Sequence, residues 1–304
     1  MTAVMDLRQG EAERSLLGLA AALTGNFMFA SSDAIVKVLS AHYSVFQLIV
    51  TQASFALIPI FGMILYEGGF AGMRVKNPKL ILLRGLLAGT GTIFGFFSFS
   101  QLPLAETYSI FFCTPILVTI LSVPILGEKV GIHRWVAVLV GLVGIIVMVR
   151  PGFVSLHLGH AAAMVSAITG AFTVLLMRRI AREEHPAVMV IAVVTGLITV
   201  SLPGMIWTFR MPTLHDLTLF ATGGMLIGVG QFLIVRSLKL APASVVAPMQ
   251  YSMMIWALSY GYLLFGTSID PLVVTGAAIV VASGLYIMQR ERLRSRRAPQ
   301  FSGG

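Results

Sequence analysis

Charged residues are scarce in this chain of 304 residues. They make up only 11% of it, whereas soluble domains carry roughly a quarter, and 57% of the residues are hydrophobic. With a mean hydropathy of +0.90, the chain has too little polar surface to form a soluble globule. Cysteine is also nearly absent. Cys113 stands alone, so no disulfide can form within the chain, and the redox state of its compartment stays open.

Catalytic and cofactor motifs are missing as well. No Gly-x-x-x-x-Gly-Lys-Ser/Thr loop is present to hold ATP. Gly89 and Gly91 lie inside an apolar segment instead of a strand-to-helix turn, which argues against a dinucleotide site. His157 and His160 are three residues apart, but no further His or Cys completes a metal site. We therefore expect no cofactor, no metal and no enzymatic activity.

The chain consists instead of ten apolar runs, each bounded by charge, glycine or proline. Each run is long enough to cross ~30 Å of hydrocarbon as a helix, and none shows the alternating polarity of a spanning strand. The runs predict an all-α membrane protein with ten transmembrane helices, at residues 15–40, 44–66, 79–101, 104–126, 130–149, 157–181, 186–208, 216–239, 242–265 and 271–290.

The net charge of +9 reflects where Lys and Arg are placed. They occupy short loops and the tail without interleaved aromatic residues, so we expect no nucleic-acid partner. If the N-terminus is cytoplasmic, 18 of the 21 basic residues lie on the inner side, including Arg84, and only Lys37, Arg150 and Arg210 lie outside. This asymmetry predicts a multi-pass protein of the inner (plasma) membrane with both termini in the cytoplasm.

Short matches recur in the same order in the two halves of the chain. Gly18-Leu-Ala-Ala-Ala-Leu compares with Gly159-His-Ala-Ala-Ala-Met, and Leu126-Gly127 compares with Phe265-Gly266, at shifts of 141 and 139 residues. A duplicated five-helix unit gives such a pattern. Because five is odd, the second copy enters the membrane from the opposite side. We therefore expect two inverted repeats around a central cavity, at 16–150 and 151–290, between a cytoplasmic segment at 1–15 and a basic cytoplasmic tail at 291–304.

Four stretches of the chain resemble those of a known family. They are Leu102-Pro-Leu-Ala-Glu-Thr, Thr114-Pro115-Ile116-Leu117, Leu126-Gly127-Glu128, and the glycine-punctuated helix from Trp135 to Met148 followed by Arg150-Pro151. With the ten-helix duplication, nearly the whole chain resembles the EamA branch of the drug/metabolite transporter superfamily. The resemblance implies a carrier that exports amino acids or other metabolites, or one that imports compounds such as S-adenosylmethionine or riboflavin. The second half departs from the pattern, because Thr267 stands where the first half has Glu128.

Four charged residues are candidates for coupling or gating. Asp33 and Lys37 lie one turn apart in the first run, so they share a helix face and an ion pair is available to them. An ionisable group in a span costs about 2.5 to 3.5 kcal/mol, which favours a function. Alternatively, Lys37 reaches the outer surface and Asp33 neutralises it. Glu106 and Glu128 open and close the fourth helix, and a dipole-stabilised or structural contact is the alternative for them.

Two prolines predict helix kinks at similar places in the two halves, Pro115 and Pro248. Broken helices in corresponding positions indicate a substrate site at the midplane. We therefore expect a cavity lined by Asp33 and by polar residues near the kinks or within the spans. The alternatives are an interfacial belt for Tyr and Trp and hydrogen bonds between helices for the others. These polar residues are Asn26, Gln52, Tyr108, Gln231, Gln250, Tyr251 and Trp256.

These features favour a secondary transporter that works by alternating access. Its substrate is expected to be a small zwitterionic or amphipathic molecule, because the spans lack the charges that would neutralise a highly ionic one. The alternative is a membrane-embedded enzyme or a non-transporting subunit. The lack of an acid–base pair argues against the first and the repeat against the second. The expected partners are the substrate and the lipid bilayer, and proton coupling and a homodimer stay open.

Overall fold

The architecture is helical throughout the part of the chain that the computed structural model describes, residues 2–66, 69, 73–127, 131–149, 157–180, 183–242, 246–268 and 270–297. Within it lie eleven α-helices, one 3₁₀ turn and no strand. The helices are α1 (Thr2–Leu39), α2 (Val45–Tyr66), α3 (Pro78–Gln101), α4 (Leu104–Phe111), α5 (Thr114–Leu126), α6 (Ile132–Val149), α7 (Leu158–Ile180), α8 (Pro186–Thr208), α9 (Leu214–Leu240), α10 (Ser252–Phe265) and α11 (Pro271–Arg297), and the 3₁₀ turn is Ala247–Tyr251.

Two helices extend beyond the apolar runs. The first starts at Thr2 instead of residue 15, and the last continues to Arg297 instead of residue 290. The first extension contains Ala, Glu, Arg, Leu and Met, and the second is mostly Arg with one Glu and one Leu; all of these favour helix by intrinsic propensity. Apolarity marks only the apolar part of a helix, so it underestimates the length of a helix that continues into a polar segment.

The predicted fourth and ninth helices are each interrupted. Phe112 and Cys113 separate α4 from α5, and the 3₁₀ turn precedes α10. Both interrupted units end at a glycine in the left-handed region, Gly127 with φ 68° and Gly266 with φ 60°. A residue with a Cβ is disfavoured at such a φ. The matched Leu-Gly and Phe-Gly pairs in the sequence therefore mark equivalent helix ends.

Two helix crossings repeat when the halves are exchanged. Gly18 of α1 lies against Ala241, the capping residue that follows α9, and Gly159 of α7 lies against Leu102, the capping residue that follows α3. A Cβ on either glycine would overlap its neighbour, so both crossings depend on the missing side chain. The matched Gly-Leu-Ala and Gly-His-Ala stretches thus make the same contact in each half.

The contacts also set the directions of the helices. Later residues of α1 contact earlier residues of α9, so these two helices are antiparallel. The same holds for α7 and α3. Gln52 and Pro59 of α2 meet Gly224 and Gly228 of α9 in parallel order, and Gly85 and Gly89 of α3 meet α8 in the same way. Finally, Phe46 at the start of α2 meets Gly204 near the end of α8. Taken together, these contacts make α2 and α9 antiparallel to α1, and α3 and α8 parallel to it. Because α7 is antiparallel to α3, it runs opposite to α1, as an inverted duplication requires.

The surface of the protein carries many large apolar side chains, unlike that of a soluble protein. Seven helical segments are long and apolar enough to cross a membrane by length and composition, and shorter apolar helices lie at Trp135–Val147 and Pro271–Tyr286. Large apolar side chains such as Leu263 are 73% exposed, while Gln47 and Gln52 are 1% exposed. This distribution is expected of a protein whose outer surface faces lipid and whose polar side chains within the spans are turned inward. The seven segments are Leu16–Leu39, Val45–Tyr66, Pro78–Gln101, Leu104–Leu126, Leu158–Ile180, Ala187–Thr208 and Leu214–Leu240.

Candidate functional site

A cavity of about 250 Å³ lies between α2 and α3 of the first half and α8 and α9 of the second. It is smaller than the usual 300–1,000 Å³ of drug-sized pockets, so it suits a compact ligand. Apolar side chains form most of its wall, with three polar residues among them. The lining residues are Ile49, Gln52, Ala53, Ala56, Ile60, Arg84, Phe96, Val190, Val193, Val194, Leu197, Ile227 and Gln231.

Gln52 presents an unsatisfied amide in this cavity. Its side chain is 1% exposed, and neither its Oε1 nor its Nε2 has a hydrogen-bond partner. Gly223 of α9 leaves the room that this amide occupies. A buried amide without partners costs roughly 1 to 3 kcal/mol, so an unpaired one in a cavity wall is well placed to bind a ligand.

Arg84 is the charged residue of the cavity, and sequence reasoning missed it. It was placed with the basic residues of the inner face, but its side chain is only 8% exposed. One guanidinium nitrogen donates to the backbone carbonyl of Met189, and another contacts the sulfur of Met177 at 3.9 Å. Its Nε has no partner, and none of the described carboxylates forms an ion pair with it. Arg84 lies five residues after Lys79, inside the apolar run 79–101. This position in the sequence could have indicated a buried cation.

Asp33 and Lys37 have separate partners, so the ion pair that their spacing allows is not formed. Asp33 accepts a hydrogen bond from the hydroxyl of Tyr108, which is 3% exposed. Lys37 donates to the carbonyls of Phe99 at 3.0 Å and Leu102 at 2.6 Å. These carbonyls end α3, where a helix lacks donors and carries partial negative charge. Lys37 therefore stabilises a helix terminus, and Asp33 faces α4.

Aromatic rings connect the Asp33 pair to the cavity. Phe96 lines the cavity and lies 6.5 Å from Phe99 between ring centroids, and Phe99 lies 5.6 Å from Tyr108. Because protein interiors are close-packed, a shift of one ring displaces the next. These rings therefore form a continuous line of contacts between the cavity and the partner of Asp33.

The remaining predicted cavity residues lie outside the wall of this cavity. Tyr251 packs edge-on against Phe112 at 5.1 Å, and Trp256 packs against Phe27 at 4.9 Å with its Nε1 buried and unpaired. Asn26 is buried in α1 and Gln250 is exposed. Of the predicted set, the structure brings Gln52 and Gln231 together around the cavity and pairs Asp33 with Tyr108. Pro115 lies in the first turn of α5, and Pro248 lies in the 3₁₀ turn.

Glu106 joins the two halves of the protein. Its Oε1 lies 2.8 Å from Nε2 of His160, so α4 is bonded to α7. The backbone N–H of His157 donates to Nδ1 of His160 at 3.1 Å, which leaves Nε2 to carry the proton toward Glu106. Glu128, the other acid predicted to take part in gating, lies outside the described residues. Within those residues no group of three metal-ligating side chains occurs.

Polar contacts join the loops at one end of the four cavity helices. We call them the first clasp. Gln47 of α2 exchanges two hydrogen bonds with the backbone of Arg210, at 2.6 and 3.0 Å. The hydroxyl of Tyr43 donates to Asp216 at 2.7 Å. The first clasp ties the α1–α2 loop to the α8–α9 loop.

A second clasp closes the opposite end. Oε1 of Glu184 accepts from the backbone N–H groups of Lys76 at 2.9 Å and Asn77 at 2.6 Å, and the amide of Asn77 donates to Glu183 at 2.6 Å. Glu184 is 4% exposed. The second clasp ties the α7–α8 loop to the α2–α3 segment, so it occupies the place equivalent to the first when the halves are exchanged. The cavity thus lies between two ends at which polar contacts join the halves.

Comparison with known proteins gives one consistent result. The model of the EamA-like transporter family matches the chain twice, over residues 16–150 and 157–289. The chain is similar to an S-adenosylmethionine uptake transporter of Rickettsia bellii, with 24% identity over 86% of this chain and 90% of that protein. It is also similar to a riboflavin transporter of Vibrio cholerae, with 26% identity over 90% and 94% of the two chains.

Similar proteins also include an exporter. The pseudopaline exporter CntI of Pseudomonas aeruginosa is 23% identical over 90% of this chain and 97% of its own length. A solved crystal structure superposes with a TM-score of 0.63 at 17% identity and covers 93% of this chain and 99% of the matched chain. The fold is therefore shared over nearly the whole chain, while the relatives carry different substrates in different directions.

Proposed function

The chain belongs to the EamA-like transporter family, and we propose that it is a secondary carrier that moves a small metabolite by alternating access. It is a multi-pass membrane transporter and not an enzyme. The single observation that carries the mechanism is the cavity enclosed by equivalent helices of two oppositely directed halves. In such an arrangement, opening one end and then the other exposes the same site to each side of the membrane.

We propose ten spans for this carrier, with both termini in the cytoplasm. The seven long segments are joined by the two shorter apolar helices and by the unit formed by the 3₁₀ turn and α10. The excess of Lys and Arg on one side supports the orientation. In this orientation the second clasp and the Arg84 end of the cavity lie toward the cytoplasm, and the first clasp lies outside.

The substrate class that we propose is an amino acid or a similar zwitterionic or amphipathic metabolite, moved outward. The small, mostly apolar cavity with a few polar groups supports a compact molecule of this kind. Uptake is the alternative, because the relatives include an S-adenosylmethionine uptake transporter as well as a pseudopaline exporter. Both directions use one architecture, and gradients and coupling select between them. We further propose that Asp33, held by Tyr108, binds the coupling proton or an amine.

Counterflow in liposomes tests the carrier function. Purified protein is reconstituted with labelled L-phenylalanine, L-methionine, S-adenosylmethionine or riboflavin outside and the same unlabelled compound inside. We expect saturable uptake of at least one compound, stimulated about tenfold or more by internal substrate, because a carrier returns faster when loaded. Empty liposomes are the control. Uptake that neither saturates nor responds to internal substrate for any compound would argue against a carrier of this substrate range.

Breaking one clasp is expected to open one end of the cavity. In a Cys113→Ser background, Val193→Cys places a thiol in the cavity wall. Glu184→Ala removes the shared acceptor of two backbone N–H groups, a loss of about 1.5 to 3 kcal/mol, which corresponds to roughly a tenfold or larger change in population. Labelling of Val193→Cys by an impermeant thiol reagent should therefore increase from the Glu184 face.

The first clasp supplies the matched experiment. Gln47→Ala removes both bonds to the backbone of Arg210 and should increase labelling of Val193→Cys from the opposite face. Right-side-out and inside-out vesicles separate the two directions. The clasp assignment is wrong if either variant increases labelling from both faces equally or from neither.

A further inference from the structure

We infer that the cavity binds an anionic oxygen group of the substrate, a carboxylate or a phosphate, through the guanidinium of Arg84. This inference rests on the proposed function and specifies the chemistry of its substrate. It starts from the fact that Arg84 is a buried cation in a cavity wall whose described surroundings contain no counterion.

The existing contacts of Arg84 do not account for its burial. A charge in a spanning segment is normally paired or functional, and an uncompensated buried charge costs several kcal/mol. The partner of Arg84 across the cavity wall is the carbonyl of Met189, which lies within α8 and already belongs to the hydrogen-bond ladder of that helix. The neutral thioether of Met177 adds little. The guanidinium keeps an unpaired Nε, and its planar fork matches carboxylate and phosphate geometry.

The cavity is polar at both ends and apolar between them. Gln52 lies beside Gly223 of α9, and Gln231 follows eight residues later on the same helix, which corresponds to about 12 Å at 1.5 Å per residue. On α8, Phe46 lies opposite Gly204, and the two helices are antiparallel. Gln52 follows Phe46 by six residues, so it lies opposite residue 198, six residues before Gly204. That position is nine residues, or about 13 Å, beyond Met189. Arg84 and Gln231 therefore share one end, and Gln52 occupies the other.

This arrangement defines a class of ligand. The anionic group binds at the Arg84 end, an apolar body contacts side chains such as Val194 and Ile227, and a hydrogen-bonding group meets the unpaired amide of Gln52. An amino acid with a long or aromatic side chain fits this order, as does a small organic phosphate. A cation without an anionic group is disfavoured, because it would meet Arg84 with no compensation.

Pairs of compounds that differ only in the anionic group test the inference. Thermal unfolding of the full-length protein in detergent is measured with L-phenylalanine and L-phenylalaninamide, 3-phenylpropionate and 3-phenylpropionamide, and glycerol 3-phosphate and glycerol. For at least one pair, we expect the member with the carboxylate or phosphate to raise Tm by about 3 to 5 °C more than the partner that lacks this group, near saturation. The first two pairs report a carboxylate site and the third a phosphate site.

Arg84→Gln should remove this difference between paired compounds, and Arg84→Lys should keep part of it because the charge remains. Without ligand, Arg84→Gln should also raise Tm by about 2 °C, because it deletes an uncompensated charge. Arg236→Gln is the matched control. Arg236 is half-buried, contacts only Tyr66 among the described partners and does not line the cavity, so its loss should leave the discrimination unchanged.

Three results would overturn the inference: equal shifts within every pair for the wild-type protein, discrimination that persists in Arg84→Gln, or an Arg84→Gln protein that is less stable or unfolded without ligand. The last result would give the guanidinium a structural role. Counterflow separates this inference from the proposed function. Discrimination between paired compounds without any counterflow would support the anion site and contradict the carrier function. Counterflow of L-phenylalanine that is unchanged in Arg84→Gln would support the carrier function and contradict the anion site.

Discussion

Gly196→Leu is expected to abolish recovery of folded protein. A Cβ on Gly196 would overlap the backbone of Gly85 in α3, including its carbonyl oxygen. Backbone atoms cannot rotate away as a side chain does, so α3 and α8 must separate, and both helices line the cavity. Overpacking typically costs 1–3 kcal/mol even where side chains can adjust, and more is expected here. Detergent-extracted protein should lose its monodisperse peak in size-exclusion chromatography.

Gly62→Leu is the matched control for this substitution. Gly62 also lies within a helix, α2, but nothing lies within 4 Å of the position that a Cβ would take. The same change in residue type there should leave the elution profile and Tm close to those of the wild type. A Gly196→Leu protein that elutes and melts like the wild type would mean that α3 and α8 do not pack at this distance.

Asp33→Asn is expected to abolish accumulation driven by a pH gradient while leaving counterflow in place. Asparagine keeps the size of the side chain and an acceptor for Tyr108 but cannot take up a proton. The titratable and charged groups near Asp33 are Tyr108, which bonds to it, Lys37 one turn along α1, and Tyr260, which reaches α1 through Ser31 at 2.6 Å. Accumulation in proteoliposomes of the compound that shows counterflow should fall at least tenfold.

Asp270→Asn is the control for the change of an acid to an amide. Asp270 accepts from the backbone N–H of Leu272 at the start of α11 and is not bonded to Asp33 or Tyr108 in any described contact, so its replacement should leave pH-driven accumulation intact. Accumulation that survives in Asp33→Asn would remove Asp33 from the coupling step. Loss of both accumulation and counterflow would instead indicate that Asp33 contacts the substrate.

Much of the fold follows from patterns that depend on nearby residues. Apolar runs indicated the membrane and most helix positions, and the paired Leu126-Gly127 and Phe265-Gly266 located two equivalent helix ends, because a left-handed turn needs glycine. Helix parity then led to inversion, and the contacts of α1 and α7 agree with it. These inferences need the spacing along the chain and no knowledge of how helices are rotated.

The candidate site depends on how each helix is turned about its own axis toward its neighbours. The sequence predicted these contacts less well than it predicted the helices. The i and i+4 spacing of Asp33 and Lys37 describes their own helix, but neighbouring helices offered each a closer partner, Tyr108 and the end of α3. Arg84 was counted with the loops because its distance along the chain from Lys79 is short. Whether it faces water, lipid or a cavity depends on how α3 is turned toward α2, α8 and α9. No periodic pattern within α3 predicts which of its faces contacts these helices.

The inverted arrangement of the two halves also bears on how such a carrier evolves. As long as two identical five-helix chains pair in opposite orientations, every substitution alters both entrances together. Fusion into a single chain removes that constraint. The two clasps of this protein differ in chemistry: the first uses the neutral amide of Gln47, and the second uses the carboxylate of Glu184. Each entrance can therefore be adjusted separately to the medium that it faces.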